Sequence, residues 1–539
     1  MDRRSVRPRL ALSFLLAVVM TLSLVSVASA GHAKKRHRAD VKLQLLAIND
    51  FHGQIVPYST TLGGAALLGG YLDAREAQAK SVHESTVRLG VGDLIGASPP
   101  ASGLLGDEPT LKVLDVMKFK YSAIGNHEFD RGGLAGLLRL QHGGFSLVSG
   151  RWKPLHMQYL AANAVREKSG RPILPPYVIK NVGGIRVGII GAVYQGTPTI
   201  TMPSQVAGIR FLNEAQTVNK YVARLKARGV KTIIVLLHNG GTGDVNGGPI
   251  TGDVVSTIEA IDDEVDVVLT AHSHTRYWGS VGGKLVTQAY SAGRAFADVD
   301  LVLSGKTGDV VSKTAEIVSV TATTGVVPNA KVAKIVAAAE AEVAPLTSRV
   351  VGTAASDISR TLNAAGESQL GNLLADAQRW KGATQIAVVN PGAMRSDIFA
   401  GEVTWGELFS VQPFANYLVT LKLTGAQIDD LLERQWLGQS TPRMLQLSGI
   451  TYGWSASAPV GSKVDPANVM IGGAPLDLGA TYTVSTNSFL AVGGDLFTTF
   501  TGATDPVNVS TDLDALVEYI GSVPQPFSAV VDGRVNVLP

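Results

Sequence analysis

Short apolar runs rich in Val, Ile and Leu alternate along the chain with longer segments in which apolar residues recur at helical spacing. In the first half the runs cover residues 43–48, 86–91, 121–124, 186–190, 232–237 and 265–270, and residues 62–80 and 213–228 have the spacing of amphipathic helices. Strands that alternate with helices are typical of sheets covered by helices. The pattern therefore predicts an α/β fold, in its layered αββα form.

The second half repeats this alternation after a segment of different composition. Residues 330–344 are rich in Ala, Val and Glu, which predicts a helix that ends at Pro345. Apolar strands follow at residues 385–389, 417–423 and 482–485. We therefore predict a first domain at residues 41–329, a linker helix at 330–350 and a second α/β domain at 351–539. The sequence has no repeat of fixed period, which disfavours a solenoid or propeller.

The N-terminus has the pattern of a secretory signal peptide. Arg3, Arg4, Arg7 and Arg9 precede an apolar stretch at residues 10–27, and Ala28-Ser29-Ala30 has the small residues of a cleavage site. We predict a signal peptide at residues 1–30, with an uncleaved membrane anchor as the alternative. Cleavage gives an exported protein, secreted or held in the cell envelope or periplasm. Because no later apolar run reaches about 18 residues, we expect no transmembrane segment in the mature chain.

A basic segment follows at residues 31–40, which we predict to be a disordered, solvated tail. Its four positive side chains are Lys34, Lys35, Arg36 and Arg38. The alternative role for them is weak contact with anionic polymers of the cell envelope.

Composition excludes several kinds of protein and of partner. The 539 residues include no Cys, which excludes disulfide scaffolds, thiolate zinc sites, Fe–S clusters and thiol nucleophiles. The formal charge of +3 comes from the predicted signal peptide, because residues 1–30 contain four Arg and one Asp. Their removal gives a mature chain with 43 basic and 43 acidic residues. For a neutral mature chain we expect no nucleic acid as a specific partner. The P-loop motif G-x-x-x-x-G-K-[ST] does not occur, so P-loop chemistry is excluded.

Five apolar runs of the first half end in Asp, Asn or His. The polar segments read N-D-F-H-G from Asn49, G-D from Gly92, G-N-H-E from Gly125, H-N-G from His238 and A-H-S-H-T from Ala271. Because ligand sites in α/β sheets form outside the carboxyl ends of strands, we expect these segments to converge. The residues in them that suit a metal ion are Asp50, His52, Asp93, Asn126, His238, His272 and His274.

These seven residues predict a metal centre. Asp, Asn and His without thiolates suit divalent ions such as Zn, Mn or Fe. Seven ligands exceed what one tetrahedral ion needs and fit two ions that share a carboxylate, so we expect two divalent metal ions. Any one of these motifs alone is more typical of a turn, a helix cap or a hydrogen-bonded core residue, and the interpretation rests on the five together.

A pair of metal ions stabilises both the attacking and the leaving oxygen of a phosphoryl displacement. His127 directly follows Asn126, so its side chain points elsewhere, and Asp130 lies where its carboxylate can orient the imidazole. We predict that His127 and Asp130 form the catalytic acid of the site.

The set N-D-F-H-G, G-D, G-N-H-E-F-D, L-H-N-G and A-H-S-H-T resembles the calcineurin-like metallophosphoesterase superfamily. With the second half included, residues 41–535 resemble the exported 5'-nucleotidase family, which also includes UDP-sugar hydrolases and 2',3'-cyclic phosphodiesterases. The resemblance implies a four-layer αββα sandwich followed by an α/β substrate-binding domain. It also implies that Asp50, His52, Asp93 and His274 hold one ion, and that Asp93, Asn126, His238 and His272 hold the other.

In the second half the resemblance rests on N-P-G-A-M-R from Asn390, Q-P-F-A-N from Gln412 and F-L-A-V-G-G-D from Phe489. It implies that Phe414 and Phe489 enclose a nucleobase, that Arg360 and Arg395 bind phosphate or other anionic groups, and that Asn390, Asn416 and Asp495 contact base or ribose. From residue types alone, core packing is the alternative for the two Phe. Pro391 and Ala415 stand where the family has Gly and restrict the backbone there.

The sequence therefore predicts an exported, metal-dependent hydrolase that converts nucleoside 5'-monophosphates to nucleoside and phosphate. UDP-sugar hydrolysis, 2',3'-cyclic nucleotide hydrolysis and a non-catalytic, envelope-binding role are the alternatives. The metal ligands and the nucleotide contacts are predicted in different domains, so we expect a rotation of the second domain to carry the nucleotide to the metals.

Overall fold

A computed structural model describes residues 38–146, 148 and 150–539. The predicted signal peptide and most of the predicted tail, including Lys34, Lys35 and Arg36, lie outside the described residues. Arg38 is described and is exposed to solvent. None of the helices in the described part of the chain combines the length and the apolar character that a membrane span needs.

The apolar runs of the first half form strands, and the amphipathic segments form helices. In chain order the strands are β1 (Val41–Ile48), β2 (Ser85–Val91), β3 (Tyr121–Ala123), β4 (Gln158–Leu160), β5 (Ala164–Arg166), β6 (Tyr177–Val182), β7 (Ile185–Val193), β8 (Ile209–Phe211), β9 (Thr232–His238), β10 (Val267–Thr270), β11 (Arg276–Val281), β12 (Lys284–Ala289), β13 (Ala295–Leu303) and β14 (Val310–Ser319). The helices are α1 (Ala65–Ser81), α2 (Pro100–Gly103), α3 (Glu108–Val116), α4 (Gly133–His142), α5 (Thr197–Ile200), α6 (Glu214–Ala227) and α7 (Val254–Glu259).

Most of these strands belong to two six-stranded sheets. The first has the order β14-β13-β1-β2-β3-β4, and the second has the order β11-β12-β10-β9-β7-β6. β1 to β4 are parallel to one another, as are β7, β9, β10 and β12. Antiparallel strands complete the sheets, where β13 pairs with β1, β6 with β7 and β11 with β12.

Alternate residues of β1 pack into different cores, because side chains of a strand point to opposite faces. Leu43 and Leu45 lie in the core between the two sheets, where they join Leu236 of β9. Leu46 and Ile48 lie in the core between the first sheet and its helices. Helix α6 covers the outer face of the second sheet in a third core. The layers are therefore helix, sheet, sheet and helix, and the predicted αββα architecture is confirmed.

The segment predicted to link the two halves is a packed helix, α8 (Ala330–Thr347), that starts at the Asn329 cap. Its Val332 and Val336 belong to the core of the first sheet and its helices. The prediction that Pro345 ends the helix is wrong by two residues. Proline lacks its own N–H but leaves those of later residues in place, and Ser348 donates its N–H to the Ala344 carbonyl at 3.0 Å.

The second half is a smaller α/β unit. Its strands are β15 (Val350–Ala354), β16 (Ile386–Val389), β17 (Gly401–Thr404), β18 (Tyr417–Thr424), β19 (Gln446–Ser448), β20 (Ile450–Ser455), β21 (Met470–Ile471), β22 (Ala474–Pro475), β23 (Thr481–Asn487), β24 (Thr504–Thr511) and β25 (Val535–Leu538). Its helices are α9 (Gln369–Gly382), α10 (Trp405–Val411), α11 (Gly425–Glu433), α12 (Ser488–Ala491) and α13 (Asp512–Ser522). The central sheet has five strands in the order β19-β16-β23-β18-β24.

Candidate active site

The carboxyl ends of five strands from both sheets of the sandwich carry the metal-type residues. β1, β2 and β3 belong to the first sheet, and β9 and β10 belong to the second. At or just after their last residues stand the side chains predicted as ligands: Asp50, His52, Asp93, Asn126, His238, His272 and His274. The two sheets meet there, because His52 and His274 approach to 3.1 Å between their Nε2 atoms.

These side chains form two neighbouring clusters. Ligand atoms of Asp50, His52 and His274 lie within 4.8 Å of one another, and so do those of Asp93, His238 and His272. Asp93 connects the clusters, because its Oδ2 lies 3.1 Å from His238 Nε2 and 3.9 Å from His52 Nε2. The arrangement offers two adjacent places for a cation, with one carboxylate between them.

The backbone of this region is strained. Asp50, His52, Asp93, His272 and His274 have positive φ angles between 48° and 74°. An L-residue in this region costs roughly 1 kcal/mol or more, and such residues persist only where the surrounding structure fixes them. The favourable free energy of folding therefore offsets the strain of a backbone conformation that directs these five side chains towards one another.

Two glycines make room for the cluster. A Cβ at Gly125 would lie 2.1 Å from Asp93 Oδ1 and 2.6 Å from His238 Nε2. At Gly92, where φ is +84°, a Cβ would lie 2.6 Å from His238 Nδ1. Neither position accepts a side chain unless the cluster moves.

Main-chain carbonyls fix the imidazoles. His52 Nδ1 lies 2.9 Å from the Gly96 carbonyl, and His238 Nδ1 lies 2.8 Å from the Val91 carbonyl. A carbonyl only accepts, so Nδ1 carries the proton and each Nε2 faces the cluster. Burial, followed by the charge of His238, lowers the pKa of His272 to about 3, which keeps that ring neutral.

His127 and Asp130 form the pair that the sequence predicts. His127 Nδ1 lies 2.7 Å from Asp130 Oδ2, and the main-chain N–H of His127 donates to Asp93 Oδ1 at 2.8 Å. Burial lowers the pKa of His127, but the charges of Asp130 and Asp93 outweigh it and the net pKa is raised. His127 also lies within 4.8 Å of His52 and Asp93, so a ligand role is the geometric alternative to a catalytic one.

Residues of the second half reach this cluster directly. The rings of Phe414 and His127 are stacked, with 5.9 Å between centroids and 24° between planes. Arg395 Nη2 lies 3.3 Å from His52 Nε2. A cleft beside them, which we call the nucleoside cleft after the ligand that the sequence predicts, is lined by His127, Asp130, Asn390, Arg395, Phe414, Asn416, Phe489 and Asp495. All the predicted nucleotide contacts except Arg360 line this cleft together with the metal-type residues Asn126 and His272, and the expected rotation stays a prediction.

Arg360 is placed differently from the other predicted nucleotide contacts. It does not line the nucleoside cleft but a neighbouring one, together with Arg395. Its Nη1 donates to the carbonyls of Met394, at 3.2 Å, and of Arg395. Arg360 therefore supports the loop that carries Arg395.

Two family matches account for most of the described chain. Residues 43–276 match the calcineurin-like phosphoesterase family, and residues 350–502 match the C-terminal domain of 5'-nucleotidases. Cell wall protein Lmo0130 of Listeria monocytogenes is 33% identical over 530 residues, which cover 89% of this chain and 67% of that protein. The chain belongs to the 5'-nucleotidase family of calcineurin-like phosphoesterases. It is therefore a phosphoester hydrolase.

Two further comparisons relate this member of the 5'-nucleotidase family to known proteins. Endonuclease YhcR of Bacillus subtilis is 36% identical over 533 residues, which cover 94% of this chain, and the chain spans 42% of the length of that protein. The crystal structure of a 5'-nucleotidase precursor from Thermus thermophilus superposes with a TM-score of 0.79 and 27% identity, over 92% of this chain and 99% of that one.

The residues present fit the divalent metal ions that the phosphoesterase fold of this family implies. Asp50 and Asp93 are buried carboxylates at 0% and 1% exposure. Asn126 Oδ1 is buried and has no hydrogen-bond partner among the described residues. Buried charges and unpaired polar atoms are costly, and a bound cation would satisfy all three groups.

Glu128 is a residue of this 5'-nucleotidase-family site that the sequence analysis did not assign. Its carboxylate accepts the N–H groups of Asp93 and Leu94 at 2.8 Å and of Gly125 at 2.5 Å. Burial, followed by the charge of Asp93, raises the pKa of Glu128 to about 7. Glu128 ties the loops after β2 and β3 together. The sequence feature that could have identified Glu128 is its position directly after His127 in the G-N-H-E motif.

Arg443 and Tyr194 were also missed, because neither lies in a recognisable motif. Arg443 lines the nucleoside cleft and donates to Asp495 Oδ1 at 2.8 Å. Asp495 Oδ2 in turn accepts from Asn390 at 2.8 Å. The Tyr194 ring stacks on His272, with 5.5 Å between centroids.

The two departures from the family pattern have different structural effects. Pro391 takes the first position of the short 3-10 helix Pro391–Ala393, where its missing N–H needs no partner. Ala415 has a φ of +53°, in the region that favours glycine. The restriction expected at Pro391 therefore costs nothing, whereas Ala415 is strained.

Proposed function

We propose that the chain is an exported phosphohydrolase that releases phosphate from nucleoside 5'-monophosphates, with two divalent ions such as Zn or Mn at its metal-type residues. The observation that carries the proposal is the stacking of Phe414 on His127, 5.9 Å away. It puts an aromatic face, which can stack a flat base, next to a cluster that suits phosphoester chemistry. Phe489, Asn390, Asn416 and Asp495 line the same nucleoside cleft.

The substrate is bound from two sides in this proposal. The base stacks against Phe414 and Phe489, an interaction that tolerates any base. The phosphate faces Arg395, a partly buried side chain whose guanidinium lies 3.3 Å from His52 Nε2 and has no carboxylate partner among the described ion pairs. A planar guanidinium binds two oxygens of a phosphate at once, so Arg395 orients the scissile group.

Divalent ions held by Asp50, His52, Asp93 and His274, and by Asp93, Asn126, His238 and His272, would supply Lewis-acid stabilisation of the phosphate charge and lower the pKa of water. Water attacks the phosphorus, the bond to the 5'-oxygen breaks, and that oxygen needs a proton. His127 supplies it from Nε2, because Asp130 holds the other ring nitrogen. Asp130 thereby keeps the imidazole in the donating orientation.

We infer export from the signal peptide predicted at residues 1–30. The name of the Listeria relative, a cell wall protein, supports this. Contact of the basic segment with the envelope stays a prediction, since its Lys34, Lys35 and Arg36 lie outside the described residues.

Phosphodiester hydrolysis is a second candidate function. The Bacillus relative is named an endonuclease and aligns with 94% of this chain, although the chain spans only 42% of it. UDP-sugar and 2',3'-cyclic nucleotide hydrolysis remain the other variants on this fold.

A substrate panel separates these candidates. Mature protein reconstituted with Mn²⁺ or Zn²⁺ is assayed with AMP, UDP-glucose, 2',3'-cyclic AMP and bis-p-nitrophenyl phosphate. We expect the highest kcat/KM with AMP. A preference for bis-p-nitrophenyl phosphate would replace the proposal with a phosphodiesterase.

Substitution of Phe414 tests the proposed stacking of the base. Phe414→Leu should lower kcat/KM for AMP by about tenfold, because base stacking contributes roughly 1–3 kcal/mol. Its effect on ribose 5-phosphate, which has no base, should stay within about twofold. Phe145→Leu is the matched control, since Phe145 is 65% exposed and outside the cleft. Equal losses on both substrates would show that Phe414 does not contact a base.

A further inference from the structure

One cation of the nucleoside cleft has no role in the proposed hydrolysis. Arg443 lines the cleft from the loop between α11 and β19, and 32% of its side chain is exposed. It follows no motif of the sequence, and it pairs with Asp495 of the second half of the chain. Arg443 therefore presents a planar guanidinium to a ligand in this cleft.

A chain of buried hydrogen bonds holds Arg443 in place. Asn487 Nδ2 donates to Asn390 Oδ1 at 2.9 Å, and Asn390 Nδ2 donates to Asp495 Oδ2 at 2.8 Å. The other carboxylate oxygen of Asp495 accepts from Arg443 Nη1 at 2.8 Å. Asn487 is fully buried, and Asn390 and Asp495 are each 4% exposed. Arg443 is thus the member of this chain that is most accessible from the cleft.

Most hydrogen-bond donors of Arg443 are free. A guanidinium has five N–H groups, and within the described chain the Arg443 side chain makes one hydrogen bond, to Asp495. Asn390, in contrast, already uses both polar atoms of its side chain. A ligand in the cleft therefore meets donors of Arg443 that have no partner in the protein.

These donors lie beside the ring on which we propose that the base stacks. A Cβ at Gly494 would lie 2.6 Å from Cζ of Phe489, so the backbone at Gly494 packs against that ring. Asp495 follows directly, and its carboxylate fixes Arg443. The turn that packs on Phe489 therefore also positions the guanidinium.

Charge decides which acceptors suit Arg443. Asp495 balances its charge, so the pair attracts a further anion only weakly, whereas the free N–H groups still donate to neutral acceptors. Arginine recognises guanine by donating to O6 and N7, two acceptors on one edge of the base. Hypoxanthine has the same two atoms. Adenine has an amino group, which is a donor, in place of O6, so it matches an arginine less well.

We propose that Arg443 is a specificity-determining residue that selects 6-oxopurine bases by donating to O6 and N7. The preferred substrates are then GMP and IMP. The inference rests on the proposed function, because it takes the base as stacked on Phe414 and Phe489. Stacking alone accepts any base, and Arg443 adds a preference among bases.

Steady-state hydrolysis by the metal-loaded mature protein measures this preference. The values of kcat/KM for IMP, GMP and AMP are compared in the wild type and in Arg443→Met, which keeps an unbranched apolar side chain. We expect the wild type to favour IMP and GMP over AMP by about tenfold, the discrimination of one bidentate arginine contact. In Arg443→Met the three values should agree within about twofold, and kcat/KM for ribose 5-phosphate should stay within about twofold of the wild type.

Arg434→Met is the matched control. Arg434 also pairs with an aspartate, Asp430, at 2.8 Å and is 27% exposed, but it does not line the nucleoside cleft. Its substitution should leave the ratio of IMP to AMP hydrolysis unchanged. Arg443→Lys keeps the charge but loses the planar pair of donors, so it should lose most of the preference.

Calorimetry with inosine and adenosine measures base selection without turnover, because neither nucleoside carries a phosphate. We expect the metal-loaded wild type to bind inosine about tenfold more tightly than adenosine. Arg443→Met should bind the two nucleosides with affinities that agree within about twofold.

Two results would overturn the proposal: a wild type that binds inosine no better than adenosine, or an Arg443→Met variant that keeps the wild-type preference. Adenosine 3',5'-bisphosphate tests an anion as the ligand of Arg443. If Arg443→Met lowers kcat/KM for this ester and leaves the ratio of IMP to AMP unchanged, Arg443 binds a phosphate and the proposal is wrong. If no nucleotide releases phosphate, the proposed function fails, while the calorimetry still decides whether Arg443 selects the base.

Discussion

Replacing Ala415 with Gly tests whether the alanine, which stands where the family has glycine, strains the loop of the nucleoside cleft. Ala415 lies between Phe414 and Asn416, its side chain is exposed, and its φ is +53°. An L-residue in this region brings Cβ close to the following carbonyl, and glycine has no Cβ. The substitution therefore removes strain without removing a buried contact.

The magnitude follows from two opposing effects. Relief of the left-handed conformation stabilises the folded state by about 1–2 kcal/mol. Glycine also increases the conformational entropy of the unfolded chain, which costs about 0.4–1 kcal/mol. We expect a net stabilisation of roughly 0.5–1 kcal/mol. Because the loop already has a conformation that suits glycine, kcat/KM for AMP should change less than about twofold.

Urea unfolding, followed by tryptophan fluorescence, measures the effect as a shift of the midpoint. Two controls are built into the chain. Ala383 is exposed at the end of α9 with a φ of +50°, so Ala383→Gly should shift the midpoint upward as well. Ala503 has a φ of −69°, so Ala503→Gly should shift it downward. If Ala415→Gly and Ala503→Gly shift the midpoint in the same direction, the strain argument is refuted.

Three further predictions concern the metal cluster and a buried carboxyl. His127→Ala should lower kcat for AMP by roughly 10²-fold or more, with metal content by mass spectrometry unchanged, whereas loss of metal would make His127 a ligand. Gly125→Ala should abolish metal binding, because its Cβ would lie 2.1 Å from Asp93 Oδ1, and Gly521→Ala, with open space at its Cβ, should not. Burial raises the pKa of Asp512 from 3.8 to about 7, so protonated Asp512 is favoured in the folded state, and the contribution of this carboxyl to stability should be lost as the pH rises from about 4 to 7. The unfolding free energy of Asp512→Asn, measured with urea and taken relative to the wild type, should therefore be higher at pH 8 than at pH 4 by a few kcal/mol. Asp514 is exposed, and an equal increase for Asp514→Asn would contradict this reasoning.

Local patterns were enough to predict six of the twelve strands in the two sheets, and the polar residues that follow five of them. The run at residues 43–48 lies in β1 (Val41–Ile48), and the run at 232–237 lies in β9 (Thr232–His238). A buried strand must be apolar along its length, and its first polar residues mark its end, so both features appear in a short window of sequence. The parallel order of strands then brings those ends to one edge of the sheets.

Other features depend on contacts between distant parts of the chain, and no local pattern contains them. Asp50 and His274 meet although 224 positions separate them, and Phe414 reaches His127 from another half of the chain. The ends of the strands already predicted that Asp50 and His274 converge, whereas only the resemblance to a family suggested that Phe414 acts together with His127. The distance between Asp50 and His274 came from the packing of the two sheets of the sandwich, and that between Phe414 and His127 came from the packing of the two halves.

The sequence by itself determined the α/β elements, the residue types at their ends and the family to which they belong. Only the tertiary structure decided the positive φ angles of the metal-type residues, the buried role of Glu128, the place of Arg360 behind Arg395 and the stacking of Phe414 on His127. The physical reason is that apolar periodicity is a property of neighbouring residues. Strain, buried charge and ring stacking arise only when distant segments exclude water together.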